Sequence, residues 1–184
     1  MNTTPNTKRP QPSSRPAIAM AERGRAPRLL RELLVWAGSG EWRVRGLRDG
    51  RDEPKVTSPG DLSWELLKQC VSGEVGIAVL DLDDPISRYW KEAELTPCIT
   101  YSERHDRADL AAKNLTVLPD RTLRFEVLTR GKLERVYLSP KLCSLYEGLN
   151  IMACALAAGV PVGTSAAFFN HLYQRKKDES CYHL

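Results

Sequence analysis

The sequence predicts an α/β fold, and three observations carry the prediction. Val75 to Leu82 is an almost continuous apolar run that follows Gly73 and ends in the acids Asp83 and Asp84, the pattern of a strand covered on both faces. A helix opening at Asp84-Pro85 and a second buried strand from Pro97 to Ser102 then complete a βαβ unit. Beyond it come three alternating segments, Asp109 to Val117, Arg121 to Thr129 and Leu133 to Leu138, separated by the turn signals Pro119-Asp120 and Arg130-Gly131-Lys132.

Taken in order, the elements begin after a polar stretch. Met1 to Ala21 holds Asn, Thr, Pro, Ser and basic residues with no acid, a composition that buries too little surface to order itself, and residues 1–26 read as a disordered basic tail. The same composition fits an organelle transit peptide, but its repeated prolines break the amphipathic helix that such a peptide needs. Pro27 then marks a helix start, Leu29, Leu30, Leu33 and Leu34 form its apolar stripe, and Gly38 ends it. A short strand from Glu41 to Leu47 follows. Ser63 reads as the N-cap of a helix from Trp64 to Val71 that turns Leu66, Leu67 and Cys70 inward. In the middle alternating segment Leu123, Phe125 and Val127 point one way and Arg124, Glu126 and Leu128 the other, so one face packs. The apolar helix from Leu145 to Ala158 is expected to cover that face.

Composition narrows the function classes. With 184 residues, 42% of them hydrophobic and 27% charged, the chain is long enough for one proper core plus a small appendage, and two full domains would be tight. The longest apolar run, Ile151 to Val162, is interrupted by Gly159 and Pro161 and falls short of a membrane span. The net charge of +4 is concentrated near the start, yet no aromatic-interleaved basic strand accompanies it, so specific nucleic-acid binding is not the expected role. Cys70, Cys98, Cys143, Cys154 and Cys181 make an odd count with no Cys-x-x-Cys pair, which points to a reducing, cytoplasmic setting. Cys98 and Cys154 read as small hydrophobes, and His105, His171 and His183 have no thiol partner at zinc spacing.

Several short motifs stand in a fixed order: Asp81-Leu82-Asp83-Asp84 at a strand end, Thr100-Tyr101 followed by Ala108-Asp109, and Tyr146-Glu147-Gly148-Leu149-Asn150-Ile151-Met152-Ala153 before the turn at Gly159-Val160. This order resembles the central domain of the Mur ligases, which build the peptide stem of peptidoglycan, and most of all the members that add the third stem residue. Asp81 stands where that family has asparagine, and Glu147 replaces the first asparagine of the helix. Upstream, Asp49-Gly50-Arg51 and Ser58-Pro59-Gly60-Asp61-Leu62 resemble the family's loop for a UDP-sugar substrate, with Gly50 in place of its serine. The resemblance implies a partial Mur-ligase-like central domain, a βαβ unit plus antiparallel hairpins and a covering helix, preceded by a small α+β segment. It divides the chain into the tail at 1–26, a remnant of the N-terminal substrate domain at 27–73, the second half of the central domain at 74–163, and a C-terminal helix and tail at 164–184. By the same resemblance Asn150 and, more weakly, Tyr146 would touch adenine, while Asp49 and Arg51 would touch a UDP-muramyl peptide.

The chemistry expected of such a ligase meets a gap. ATP and Mg2+ serve the intact family, and a Gly-x-x-x-x-Gly-Lys-Ser/Thr loop cradles the phosphates. The 184 residues contain no such loop: Gly131-Lys132 is followed by Leu133 in a hairpin turn, and the stretch Gly159 to Ser165 has no lysine. The expectation is therefore a shortened relative that uses no cofactor of its own, has no catalytic or metal-binding residues, and self-associates or docks on another protein because its front half is missing. A non-catalytic interaction module and a basic-tailed nucleic-acid binder are the alternatives. Asp83 and Asp84 sit where sites form in α/β sheets, but the preferred reading is that Asp84 caps the helix at Pro85. Asn150 reads equally as an adenine contact or as a buried amide. Trp36, Trp42, Trp64 and Trp90 read as packing residues, and Arg104 to Arg107 as a solvated loop.

Overall fold

The computed structural model describes residues 17–20, 25–46, 56–58, 77–94 and 97–181. One eight-stranded sheet organises them: β1 (Ala17–Met20), β2 (Arg43–Gly46), β3 (Val56–Ser58), β4 (Ile77–Asp81), β5 (Cys98–Ser102), β6 (Leu110–Val117), β7 (Leu123–Thr129) and β8 (Lys132–Leu138). The spatial order is β2-β1-β3-β4-β5-β6-β7-β8. The first six strands in that order are parallel, and β6, β7 and β8 form an antiparallel meander. Four described helices cover the sheet: α1 (Arg25–Trp36), α2 (Pro85–Glu92), α3 (Leu145–Ala157) and α4 (Val162–Cys181).

Strand β4 shows why its sequence reads as apolar on both faces. Val79 belongs to the main core with α1, α3 and α4, while Ala78 and Leu80 pack on the other side against Trp90 of α2 and Cys98 of β5. Alternation within one strand thus feeds two apolar layers. Helix α1 buries Ala26, Leu29, Leu30, Leu33 and Leu34 and ends where Gly38 takes φ +76°, with Ser39 N–H bonded to Leu34 C=O at 2.8 Å. Helix α3 is buried almost all round because the sheet from β3 to β6 lies on one side and α1 and α4 lie on the others. Its start is a capping box: Ser144 Oγ accepts from Glu147 N–H at 3.2 Å, and the Glu147 carboxylate accepts from Ser144 N–H at 2.6 Å. Glu147, where the resemblance expects asparagine, is therefore a capping residue.

Two expectations at the front of the chain are corrected. Residues 17–20 and 25–26 of the supposed tail are ordered, and β1 lies between β2 and β3 with Ile18 and Met20 fully enclosed. Four apolar residues, two of them alanine, are too short a signal against a Pro- and Arg-rich background, but pairing on both sides supplies what the local sequence lacks. Within 27–73 the described elements β2 and β3 join the same sheet as the later strands, and α1 and β2 contribute to the same core. Strand β4 is consequently an interior strand with both neighbours in place, and the unpaired edge that motivated self-association is not there. The expected helix from Trp64 to Val71 lies outside the described residues.

The meander is corrected in one respect. Its inward face is covered by α4, which packs along β8, while α3 lies chiefly on the parallel strands. The hairpin joining β7 to β8 is a two-residue turn, with Arg130 at φ 46° and Gly131 at φ 75° between the paired Thr129 and Lys132. A bulge between Lys113 and Thr116, with Asn114 at φ 52°, turns the outer half of β6.

Candidate functional site

The carboxyl ends of β4 and β5 gather most of the polar residues that the sequence singles out. In open α/β sheets this edge is where ligands bind, because helix N-termini and loop backbone converge there. Asp84 caps α2 as expected: its Oδ2 accepts from Ser87 N–H at 2.8 Å, and Pro85 takes the first helical position, where no N–H is needed. Asp81 turns back on its own loop, with Oδ1 accepting from Asp83 N–H at 2.8 Å. Burial, followed by the neighbouring charges of Asp83 and Asp84, outweighs that bond and raises the Asp81 carboxyl above the usual carboxylate range.

Asp83 is the centre of the cluster. Its side chain is only 8% exposed, and it accepts from Ser102 Oγ at 2.7 Å, Glu103 N–H at 2.8 Å and Arg104 N–H at 3.3 Å. Tyr146 of α3 faces the same carboxylate and that of Glu103. Burial alone would raise the Asp83 carboxyl, but these hydrogen bonds together hold it below the ordinary value. Tyr146 is pushed the other way, first by burial and then by the neighbouring carboxylates of Glu103 and Asp83. Ser102 Oγ in turn accepts from Arg104 N–H at 2.9 Å and His105 N–H at 2.7 Å, so a strand end and the loop after it fold around one acid. His105 Nε2 stands 3.9 Å from Asp83 Oδ1 and 3.3 Å from Arg88 Nη1.

A second clip lies alongside. Asp109 Oδ2 accepts from both the N–H and the hydroxyl of Thr100, at 2.8 and 2.7 Å, and Thr100 Oγ1 accepts from Asp109 N–H at 3.0 Å. The Thr100-Tyr101 and Ala108-Asp109 motifs are thus two ends of one structural clasp across the loop that joins β5 to β6.

These bonds decide what the cluster can do. An ionised carboxylate offers about four lone-pair positions, and Asp83 turns most of them to Ser102 Oγ and the N–H groups of Glu103 and Arg104. Among the described residues no group of three or more His, Cys, Asp or Glu is placed to hold a metal ion. Asn150 is fully enclosed, and its Oδ1 accepts the Cys154 thiol at 3.4 Å. Tyr146 is half-buried one turn before it, facing the acids. Asp49 and Arg51 fall in the connection between β2 and β3, outside the described residues. Ser102 and Glu103 are the site residues that sequence reading missed; nothing local marks them, since their partner Asp83 is about twenty residues away.

No family model matches the chain. Over 87 residues it is 32% identical to a UDP-N-acetylmuramoyl-L-alanyl-D-glutamate--2,6-diaminopimelate ligase of Bacillus licheniformis, a match covering 47% of this chain and 18% of that protein. A solved structure of a UDP-N-acetylmuramoyl-L-alanyl-D-glutamate--2,6-diaminopimelate ligase superposes with a TM-score of 0.61 at 13% identity, over 83% of this chain and 45% of the other. The structural likeness shows a shared fold, and the chain spans under half the length of either relative.

Proposed function

We propose that this chain is a Mur-ligase-related domain of peptidoglycan peptide-stem synthesis, acting in the cytoplasm, that does not itself couple ATP hydrolysis to amide formation. One observation carries the reading. β1 is flanked by parallel strands and leads directly into α1, the strand-to-helix step at which phosphate loops sit in α/β folds. Here the step is made by Ala21-Glu22-Arg23-Gly24, four residues with no lysine and no following Ser or Thr. A phosphate loop needs a longer run of backbone N–H donors, a lysine on the terminal phosphates and a hydroxyl for Mg2+. The engagement of Asp83 by three donors of its own fold supports the same reading. Without preorganised donors the charge that develops on a transferred phosphoryl group has nothing to stabilise it.

The test is to supply purified protein with ATP, Mg2+, a UDP-muramyl dipeptide and candidate amino acids, and to follow ADP. No release above the protein-free control is expected; release that depends on the UDP-muramyl dipeptide overturns the proposal. Thermal unfolding with and without ATP-Mg2+ and UDP separates binding from turnover, since a ligand of the native state at a hundredfold excess over its Kd adds about 2.7 kcal/mol.

A second reading, a non-catalytic interaction module with the same fold, draws on α2. Ile86 and Tyr89, three residues apart on one helix face, are 46% and 60% exposed. Loss of binding to an intact Mur ligase in an Ile86→Ser, Tyr89→Ser variant, with unchanged unfolding, would favour this reading.

A further inference from the structure

Strand β8 ends the sheet, and its register fixes which backbone groups face outward. The two-residue turn makes Thr129 and Lys132 a hydrogen-bonded pair, so the pairs Val127 with Glu134, Phe125 with Val136 and Leu123 with Leu138 are hydrogen-bonded as well. The intervening residues Leu133, Arg135 and Tyr137 therefore direct their N–H and C=O groups away from β7, toward the place of a further strand. Unprotected, such an edge is a template for strand addition. Leu133, 54% exposed beside it, adds an apolar contact.

Those positions are already in use. Asn170 of α4 accepts from Tyr137 N–H through Oδ1 at 2.9 Å and donates from Nδ2 to Arg135 C=O at 2.9 Å. One side-chain amide thus reproduces the donor and acceptor of a neighbouring strand's peptide group. The same stripe of α4 continues the clamp: the ring of Tyr173 stacks on Tyr137 at 5.1 Å with planes 8° apart, and Lys176 Nζ donates to Ser139 Oγ at 2.8 Å. Helix spacing of three meets strand spacing of two. The opposite edge has a similar arrangement: Arg31 of α1 donates from Nε and Nη2 to Val44 C=O of β2 at 3.3 and 2.9 Å.

We propose that Asn170 is an edge guard, whose carboxamide occupies the hydrogen-bonding positions on β8 that a strand from a second copy of this chain would otherwise take. Its identity then matters more than its volume. Leucine in its place keeps the packing and opens the edge, whereas aspartate keeps the acceptor for Tyr137 N–H and loses the donor to Arg135 C=O.

The experiment compares wild type, Asn170→Leu and Asn170→Asp by sedimentation velocity across a dilution series, with hydrogen exchange of the Tyr137 amide read at the most dilute point. In Asn170→Leu the expected results are loss of at least about tenfold in Tyr137 protection and association at a concentration about tenfold lower than wild type. Asn170→Asp should keep Tyr137 protected and associate to an intermediate degree, and it carries the test if the leucine variant does not fold. Arg135→Pro added to Asn170→Leu should abolish the new association, because proline removes an outward N–H that β7 does not use. Unchanged association in the leucine variant, or new association that survives Arg135→Pro, overturns the proposal.

Discussion

The parallel half of the sheet and the antiparallel meander use their charged residues in opposite ways. At the ends of β4 and β5 the acids are turned inward: Asp83 is nearly buried and binds backbone and side-chain donors from a loop remote in sequence. On the outer face of the meander the charges pair near the surface, Glu126 with the cross-strand Arg135 at 3.1 Å and with Asn114, and Lys113 with Asp106 of the preceding loop. A parallel strand must hand the chain over to a distant partner, and the polar groups at that handover are enclosed and have to be satisfied. A hairpin hands over locally, and its outer face can stay wet. The lesson is that an acid cluster at the carboxyl end of parallel strands can look like a site while being the fastening of the loop.

The comparison is broken most forcefully at β1. If non-local pairing holds the parallel half, deleting residues 1–20 removes an interior strand with its buried Ile18 and Met20, and cooperative thermal unfolding should disappear. The milder Ile18→Ala should cost about 2–5 kcal/mol in denaturant unfolding. A full-strength, cooperative transition in the deletion would show that residues 17–20 add nothing to the sheet.

Next is the fastening itself. Asp83→Ala strands the donors of Ser102, Glu103 and Arg104 and should cost about 3 kcal/mol at neutral pH. Because the folded carboxyl lies below its ordinary value near 3.9, its stabilisation is whole above that pH and is lost as pH falls through the lowered value. Chemical denaturation from pH 7 downward should therefore show the gap between wild type and Asp83→Asn narrowing only in the acid range. A gap independent of pH would mean that the charge plays no part.

A smaller effect is expected where the two halves meet. A methyl on Gly148 of α3 would stand 2.9 Å from Leu138 Cδ2 of β8, so Gly148→Ala should overpack that junction by about 1–3 kcal/mol, read as a lower denaturant midpoint. Tyr146→Phe should cost about 1 kcal/mol near neutrality. Since its folded phenol is raised above the ordinary value, that contribution persists below about pH 10 and fades as pH climbs through the folded value, so the variant and wild type should converge in strong alkali. Least of all, Glu126→Ala on the meander should leave the unfolding midpoint unchanged, because a solvent-exposed pair gains little over its hydration.

Local signals were read well and distant ones poorly. Asp84 as a cap, the turn at Arg130-Gly131, the inward set Leu123, Phe125 and Val127 and the apolar helix starting at Leu145 all rest on spacings of a few residues. Ser144-x-x-Glu147 is equally legible as a capping box, a local signal that explains Glu147 without reference to the family motif. Asn150 was rightly held open as a buried amide, and its full enclosure follows from a helix covered on nearly every side.

By itself the sequence determined the periodic elements: the two-faced strand β4, its partner β5, the alternating meander and the caps and turns that separate them. Each is marked by a residue pattern that repeats or closes within a few positions. Tertiary structure alone decided that Ala17–Met20 is an interior strand, that α1 and α4 share one core with α3, and that Asp83 accepts from Ser102, Glu103 and Arg104. The physical reason is common to all three: a parallel strand has no hydrogen-bonding partner within its own segment, so its identity, and the work of the polar residues at its end, are set by chain that lies far away in sequence.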